Sequence, residues 1–242
     1  MTRGRRRVAI YGGTFDPVHV GHMAVADGLV ELCGLDEFLF VPASVAPHKR
    51  DRRVSPAHDR YAMLALATQG EDRFRVSTVE LTAPERPYTV DTLAYFLDVY
   101  GEQARLFFVM GADSWEDITT WREWERVLTM TNQLIVTRPG YEVPVKHVTD
   151  AVRERIVDLC GATRERIEDE LKKDEGSRIY LTDAVKIRVA ATDIRAAVAR
   201  DDMESLDELV APPVAEYIRK YRLYRDTDGT EFSDAGIKGT TH

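Results

Sequence analysis

The sequence predicts an α/β fold: a doubly wound, mostly parallel sheet covered by helices, with a small helical region at its C-terminal end. Three observations predict it. Apolar, β-prone stretches alternate with segments of helical spacing through most of the 242 residues, the pattern of βαβ units. Two of the stretches, Arg105 to Met110 and Gln133 to Thr137, are near-continuous apolar runs of the kind a parallel sheet buries on both faces. The first stretch, Val8 to Tyr11, turns through Gly12 and Gly13 into a helical segment, so a glycine turn sits at a strand end where such sheets bind ligands.

The elements follow in order. Met23, Val25, Ala26, Leu29 and Val30 give the helix after the first turn its apolar spacing. Glu37 to Val41 reads as a second strand, ended by Pro42. Pro56 to Thr68 has helical spacing through Tyr61, Leu64, Ala65 and Ala67, with Ser55 as N-cap and Pro56 in first position. Phe74 to Leu81 alternates as a strand. Thr89 to Tyr100 is helical, with Leu93, Phe96 and Leu97 on one stripe. Gly111 closes the strand that ends at Met110, Trp121 to Leu128 reads as a helix, and Arg138-Pro139-Gly140 follows the next strand.

From Tyr141 the character changes. A charged helical insertion is expected over about 141–177, within which Thr149 to Lys173 reads as an amphipathic helix or hairpin on Val152, Ile156, Leu159, Ile167 and Leu171. A short strand follows at Arg178 to Leu181, then helices near Asp193–Arg200, Met203–Val210 and Pro213–Tyr221. The α/β domain thus spans 1–190, and 191–225 is a C-terminal helical region of the same domain. Residues 226–242 are polar without periodicity and read as a disordered tail.

Composition narrows the partners. A net charge of −8 argues against nucleic acid as a partner, because a phosphate backbone demands a basic surface. A small anion remains compatible, since one site can be positive on an acidic protein. No apolar run approaches membrane-spanning length, and the stretch after the basic start (Arg3, Arg5, Arg6, Arg7) is too short for a signal peptide. Cys33 and Cys160 lack metal-ligand spacing, and two unpaired thiols point to a reducing, cytoplasmic setting. The composition leaves room for a homo-oligomer.

The run Gly12-Gly13-Thr14-Phe15-Asp16-Pro17-Val18-His19-Val20-Gly21-His22 carries the chemistry. Glycines allow close backbone approach, and a helix N-terminus offers unpaired N–H groups at a positive dipole end, which together suit phosphate. His19 and His22, three apart, lie on one helical face. A lone histidine is ordinarily a surface or core residue. Two on one turn, directly after a glycine turn, suit a polyphosphate whose charge rises as a bond breaks.

This run resembles the first motif of the nucleotidylyltransferase superfamily, a His-x-Gly-His pair, and in its longer form the motif of the bacterial nicotinate mononucleotide adenylyltransferases. The resemblance covers about Val8 to Tyr224, with 141–186 longer than the family leads one to expect. It implies a Rossmann-like doubly wound sheet. It also implies ATP contacts from Gly12, Gly13, Thr14, Phe15, His19 and His22, and a substrate contact from Asp16.

Other segments read in two ways until the resemblance weights them. Lys49, in Ala46-Pro47-His48-Lys49, is either a solvated lysine or a cation reaching a triphosphate from the side opposite the histidines; the family carries a similar loop. Thr89 in Tyr88-Thr89-Val90-Asp91-Thr92 either caps a helix or, as the resemblance implies, joins Tyr88 in holding the mononucleotide. Gly111 allows close approach at a strand end, and Asp113 can accept from ribose hydroxyls. Trp121 alone would be core; the resemblance implies that it stacks on a pyridine ring, while Trp115 and Trp124 are packing residues. Arg138 matches the family's Arg-Pro-Gly on the nucleotide side.

Val189-Ala190-Ala191-Thr192-Asp193-Ile194-Arg195 resembles the second superfamily motif, in which a helix N-terminus and an arginine bind the β- and γ-phosphates. Thr192, Ile194 and Arg195 match; Ala190 and Ala191 replace two serines, removing two hydroxyl donors. The implied activity is adenylyl transfer from ATP to nicotinate mononucleotide, giving deamido-NAD and pyrophosphate. His19, His22, Lys49 and Arg195 are its catalytic group and Mg²⁺ accompanies ATP, with no metal cage built by the protein. Two readings compete: a superfamily enzyme with another acceptor, such as pantetheine phosphate, and a nucleotide-binding regulator weak in catalysis.

Overall fold

The computed structural model describes residues 5–44, 54–83, 87–138, 140–173, 176–183 and 189–225. Lys49 and the expected tail at 226–242 lie outside the described residues.

The chain runs β1 (Arg6–Gly13), α1 (Val20–Cys33), β2 (Glu37–Pro42), α2 (Ala57–Ala67), β3 (Phe74–Val76), α3 (Val79–Thr82), α4 (Thr89–Tyr100), β4 (Ala104–Gly111), α5 (Ala112–Glu116) and α6 (Trp124–Met130). It continues through β5 (Asn132–Val136), α7 (Asp150–Arg153), β6 (Ile156–Asp158), α8 (Arg164–Lys172), β7 (Ile179–Thr182), α9 (Ala191–Ala199), α10 (Met203–Leu209) and α11 (Pro212–Tyr221). The described strands form one sheet in the order β3-β2-β1-β4-β5-β7-β6, and every pairing is parallel. The order reverses between β1 and β4. That switch point opens a crevice at the C-terminal strand ends, where the glycine turn after β1 and Gly111 after β4 both lie.

Two cores cover the two sheet faces. Phe38, Phe40, Phe107, Leu134 and Tyr180 pack with α1, α2 and α8 to α11 on one side. Val8, Ile10, Leu106, Phe108 and Ile135 pack with α4, α5 and α6 on the other. This is the predicted Rossmann-like doubly wound architecture, and the C-terminal helices share the first core. Among the described residues no helix is long and apolar enough to cross a membrane.

Four boundaries differ from the sequence reading, each for a physical reason. The stretch 74–81 is a three-residue strand followed by α3, because the Ser77 hydroxyl accepts the Val79 N–H and turns the chain. Pro56, not Ser55, is the N-cap of α2; the Ser55 backbone is used elsewhere, as described below. Thr89 is the first helical residue of α4 and not its cap, since the Tyr88 N–H donates to the Asp91 carboxylate at 2.9 Å. Trp121 precedes its helix: Glu123 adopts φ 51°, so α6 starts at Trp124.

The charged segment is the largest correction. In place of one helix or hairpin it holds α7, the edge strand β6 and α8. Ile156 and Val157 pair with β7, and Ile167 and Leu171 bury the inner face of α8. Arg7 of β1 donates to both carboxylate oxygens of Glu168, at 2.9 and 3.1 Å, fastening α8 to the first strand.

Trp115 is fully buried, and its indole N–H donates to the Pro144 carbonyl at 2.8 Å. Trp115→Ala is expected to cost about 3–5 kcal/mol in chemical denaturation. The partly buried Trp124 should cost clearly less; equal costs would contradict this burial difference.

Candidate active site

The crevice is built around the start of α1. His19 is its N-cap and His22 the third helical residue. The His22 N–H donates to His19 Nδ1 at 3.4 Å and the His19 N–H to His22 Nδ1 at 3.2 Å. The imidazoles close a reciprocal capping box on each other's backbone, with the rings stacked at 3.6 Å between centroids and 23° between planes. Because each Nδ1 accepts, each neutral ring carries its proton on Nε2, leaving that N–H as the donor not used in the cap.

The surroundings keep both rings neutral. Burial lowers the His19 pKa to about 4, against which the Asp193 carboxylate acts upward. Burial, followed by the neighbouring His19, holds His22 well below the ordinary histidine value. Phe15 and Tyr11 stand edge-on to His22 at 4.9 and 6.0 Å. Gly21 packs tightly here, since a Cβ would lie 3.0 Å from His19 Nδ1 and the ring would have to give way. Gly13 is held more strictly, because Phe15, itself at φ 50°, folds its ring to 2.8 Å from where a Cβ would be. Gly12 meets Phe108 only at ordinary contact distance.

Asp16 is turned inward. Its carboxylate accepts from the Tyr224 hydroxyl at 2.8 Å and from the Ser55 N–H at 3.3 Å, and its carbonyl accepts from Arg195 at 2.5 Å. Arg195 on α9 therefore reaches the turn directly. Val189, just before α9, lies against Gly21, so the N-termini of α1 and α9 converge. Ala190 caps α9 without a side-chain hydrogen bond, and Thr192 in its first turn is exposed.

A second group lines a cleft of about 170 Å³ beyond β4 and β5: Gly111, Asp113 and Arg138, with Tyr11, Thr137 and Tyr141. Tyr11 joins this cleft to His22. Across the cleft mouth the Tyr141 hydroxyl bonds the Glu116 carboxylate.

The third group lies on the other side of β4. Trp121 is half-buried and edge-on to Phe108 at 6.3 Å, which in turn meets Gly12. Arg122 sits over the Tyr88 ring at 4.7 Å, bringing the start of α4, and with it Thr89, toward Trp121. The site residues thus fall into a phosphate end, a cleft and an aromatic end around one switch point. Sequence reasoning missed Arg60, a buried guanidinium under the turn. Its signal was a charged residue in the apolar stripe of α2 that also holds Met63 and Leu64.

Three comparisons bear on this arrangement. Residues 10–197 match the family model described as cytidylyltransferase-like. A protein of Thermoanaerobacter sp. (strain X514), named "Probable nicotinate-nucleotide adenylyltransferase", is 36% identical over 222 residues, covering 90% of this chain and 94% of that protein. One of the same name from Mycolicibacterium vanbaalenii is 34% identical over 92% of this chain and 94% of its own length. Among solved structures, Plasmodium falciparum nicotinic acid mononucleotide adenylyltransferase complexed with NaAD superposes with a TM-score of 0.66 at 20% identity, over 90% of this chain and 97% of that one, a likeness of fold.

The imidazole pair makes a pH prediction. Free histidine takes a proton near 6.5, whereas folded His19 does so only near 4 and His22 only well below 6.5. Between those values the unfolded chain binds more protons, so this pair lowers stability as pH falls from about 6.5 to 4 and contributes nothing above. Nitrogen-detected NMR should find both rings in the Nε2–H form, His19 titrating near 4 and His22 staying neutral well below 6.5. A ring that titrates near 6.5 would contradict the capping box.

Proposed function

The chain belongs to the cytidylyltransferase-like family and, within it, to the nicotinate-nucleotide adenylyltransferases, and from that membership we infer that it joins ATP and nicotinate mononucleotide into nicotinate adenine dinucleotide, releasing pyrophosphate. The observation that carries this reading is the convergence of two imidazoles, two helix N-termini and Arg195 at one switch point, with an aromatic group across β4.

The 5′-phosphate of the mononucleotide attacks the α-phosphorus of ATP in line. A phosphate oxygen–phosphorus bond forms, the α–β bridging bond breaks, and its electron pair leaves with pyrophosphate. The attacking oxygen is already anionic, so no protein base is needed, and catalysis rests on position and charge stabilisation. His19 and His22 donate from Nε2–H to the α-phosphate and the departing oxygens. The Ala191 and Thr192 N–H groups at the start of α9, the Thr192 hydroxyl and Arg195 hold the β- and γ-phosphates. Gly12, Gly13, Thr14 and Phe15 shape the turn around the triphosphate, and Gly111, Asp113 and Arg138 take the adenosine.

On the acceptor side, Trp121 stacks on the pyridine ring and Tyr88 and Thr89 hold the mononucleotide. Lys49 belongs to this assignment on the strength of its sequence context. Asp16 acts by fixing the turn, since both its carboxylate oxygens are engaged within the protein.

The donors gathered at the phosphate end are N–H groups, which bind anions and not cations. Among the described residues no group of three or more His, Cys, Asp or Glu side chains could hold a metal. Mg²⁺ accordingly enters as part of the substrate, MgATP, neutralising phosphate charge. The free thiols Cys33 and Cys160 fit a reducing, cytoplasmic setting.

Pyrophosphate release from MgATP tests the reaction, with nicotinate mononucleotide, nicotinamide mononucleotide and pantetheine phosphate as acceptors. Turnover is expected with nicotinate mononucleotide, and ATP binding without turnover on any acceptor would overturn it. In the same assay His22→Ala should lower kcat about 10²–10³-fold with the fold intact; near-normal kinetics would remove the imidazoles from the mechanism. Trp121→Ala should raise KM for the mononucleotide about five- to tenfold, the size of one aromatic stacking contact, and leave KM for ATP unchanged. An equal rise for both substrates would return Trp121 to a packing role.

A further inference from the structure

Arg60 is the one arginine or lysine buried from solvent among the described residues, at 1% exposure. It is out of the solvent-lined crevice, and its donors are spent on three backbone carbonyls from three segments. Nε donates to Ser55 at 3.0 Å, one terminal nitrogen to Thr14 at 2.8 Å and the other to Ser44 at 3.2 Å. Thr14 lies in the phosphate-binding turn, Ser44 two residues beyond β2, and Ser55 just before α2.

Glu80 faces the same cluster. Its carboxylate accepts the Thr92 hydroxyl at 2.7 Å, and the Ser44 backbone and the Arg60 charge both favour its ionised form. Thr92 belongs to the first turns of α4, the helix that Tyr88 and Thr89 begin. Arg60 thus ties the turn that flanks the imidazoles to Ser44, and Glu80, which feels the Arg60 charge, is bonded to the helix assigned to the acceptor. Three diverging carbonyls suit a planar guanidinium; a lysine ammonium on a flexible stem cannot reach all of them at once.

We propose that Arg60, with Glu80 as its counterpart, is a positioning residue for the transfer: it fixes the phosphate-binding turn against the acceptor helix so that the mononucleotide phosphate and the α-phosphate of ATP meet in line. The proposal rests on the reaction inferred above. Reacting groups displaced by about an ångström can lose on the order of 10²-fold in rate while each substrate still binds.

The test is steady-state kinetics of Arg60→Lys, on protein whose fold is checked by circular dichroism and well below its unfolding midpoint. The expected result is a fall in kcat of about 10–100-fold with both KM values within about threefold of wild type. A purely structural role would scale kcat with the folded fraction only. Wild-type kcat in folded Arg60→Lys, or a loss matching the unfolded fraction, overturns the proposal. If Arg60→Lys does not fold, Glu80→Gln decides: it keeps the shape and the Thr92 contact but removes the charge facing Arg60. A several-fold loss of kcat at unchanged KM supports the role; wild-type kcat, or failure to fold, overturns it. An inactive wild type in the same plate sinks the inferred reaction and the proposal with it, whereas an active wild type with unaffected variants sinks the proposal alone.

Discussion

Two histidines capping each other's backbone are the constraint from which the rest of the crevice follows. The box needs both rings close together, which leaves little room for a Cβ between them, and Gly21 fits that space. It needs both Nδ1 atoms unprotonated, which the apolar faces of Phe15 and Tyr11 favour. Phe15 reaches His22 from a left-handed conformation and lies over Gly13, so Gly13 is fixed in turn. What resembles a phosphate loop with two catalytic histidines is, physically, a helix cap whose capping groups face outward with one donor each. The same contacts that start α1 orient its chemistry, so the tautomer needs no separate device.

The turn is also held from outside. Tyr224, beyond α11, and Arg195, on α9, both end on Asp16, while Arg60 ends on Thr14. Residues 46, 179 and 208 positions away thus converge on Thr14 and Asp16, and the C-terminal helices complete the wall of the site. Burying Arg60 and the Asp16 carboxylate together is tolerable because their polar atoms find hydrogen-bond partners in the same few ångströms. That arrangement gives the turn rigidity before any substrate arrives, which is what a reaction catalysed by position requires.

The fold was legible because its strongest signals are local. Val8 to Tyr11, Arg105 to Met110 and Gln133 to Thr137 have the apolar continuity that only a strand buried on both faces needs, and each lies in the sheet within a residue or two of its reading. The errors arose where tertiary partners outvote periodicity. Ile156 and Val157 sit in a charge-dense stretch with helical spacing, and only the free edge of β7 makes them a strand. A three-residue strand such as β3 carries too little pattern to be separated from the helix that follows it. Arg60 was hard to read for the opposite reason: a charge in the apolar stripe of α2 marks it as unusual, but nothing adjacent to it signals that carbonyls from three segments will need donors. Asp16 was recognisable by its motif, but its inward orientation depends on Tyr224, more than two hundred residues away.

The two helix N-termini at the crevice divide the work differently. In α1 the His22 N–H is already taken by His19, so its anion contacts come through imidazole Nε2–H groups. In α9 the cap is Ala190, whose side chain accepts nothing; the Asp193 N–H bonds the Ala190 carbonyl at 2.9 Å, and no side chain caps the Ala191 and Thr192 N–H groups. A serine at a cap position can turn its oxygen onto those same N–H groups, competing with a phosphate for them as well as offering its own proton. Ala190 and Ala191 therefore trade hydroxyl donors for unencumbered backbone donors, and the loss is smaller than a count of missing hydroxyls suggests. Most donors facing the phosphates are then neutral, with Arg195 the full charge among the described ones, and itself tied to Asp16. A crevice of neutral, oriented donors leaves little buried positive charge uncompensated when empty. In the reaction inferred above, its hydrogen bonds would strengthen as charge builds on the departing pyrophosphate, so its stabilisation would fall mainly on the transition state.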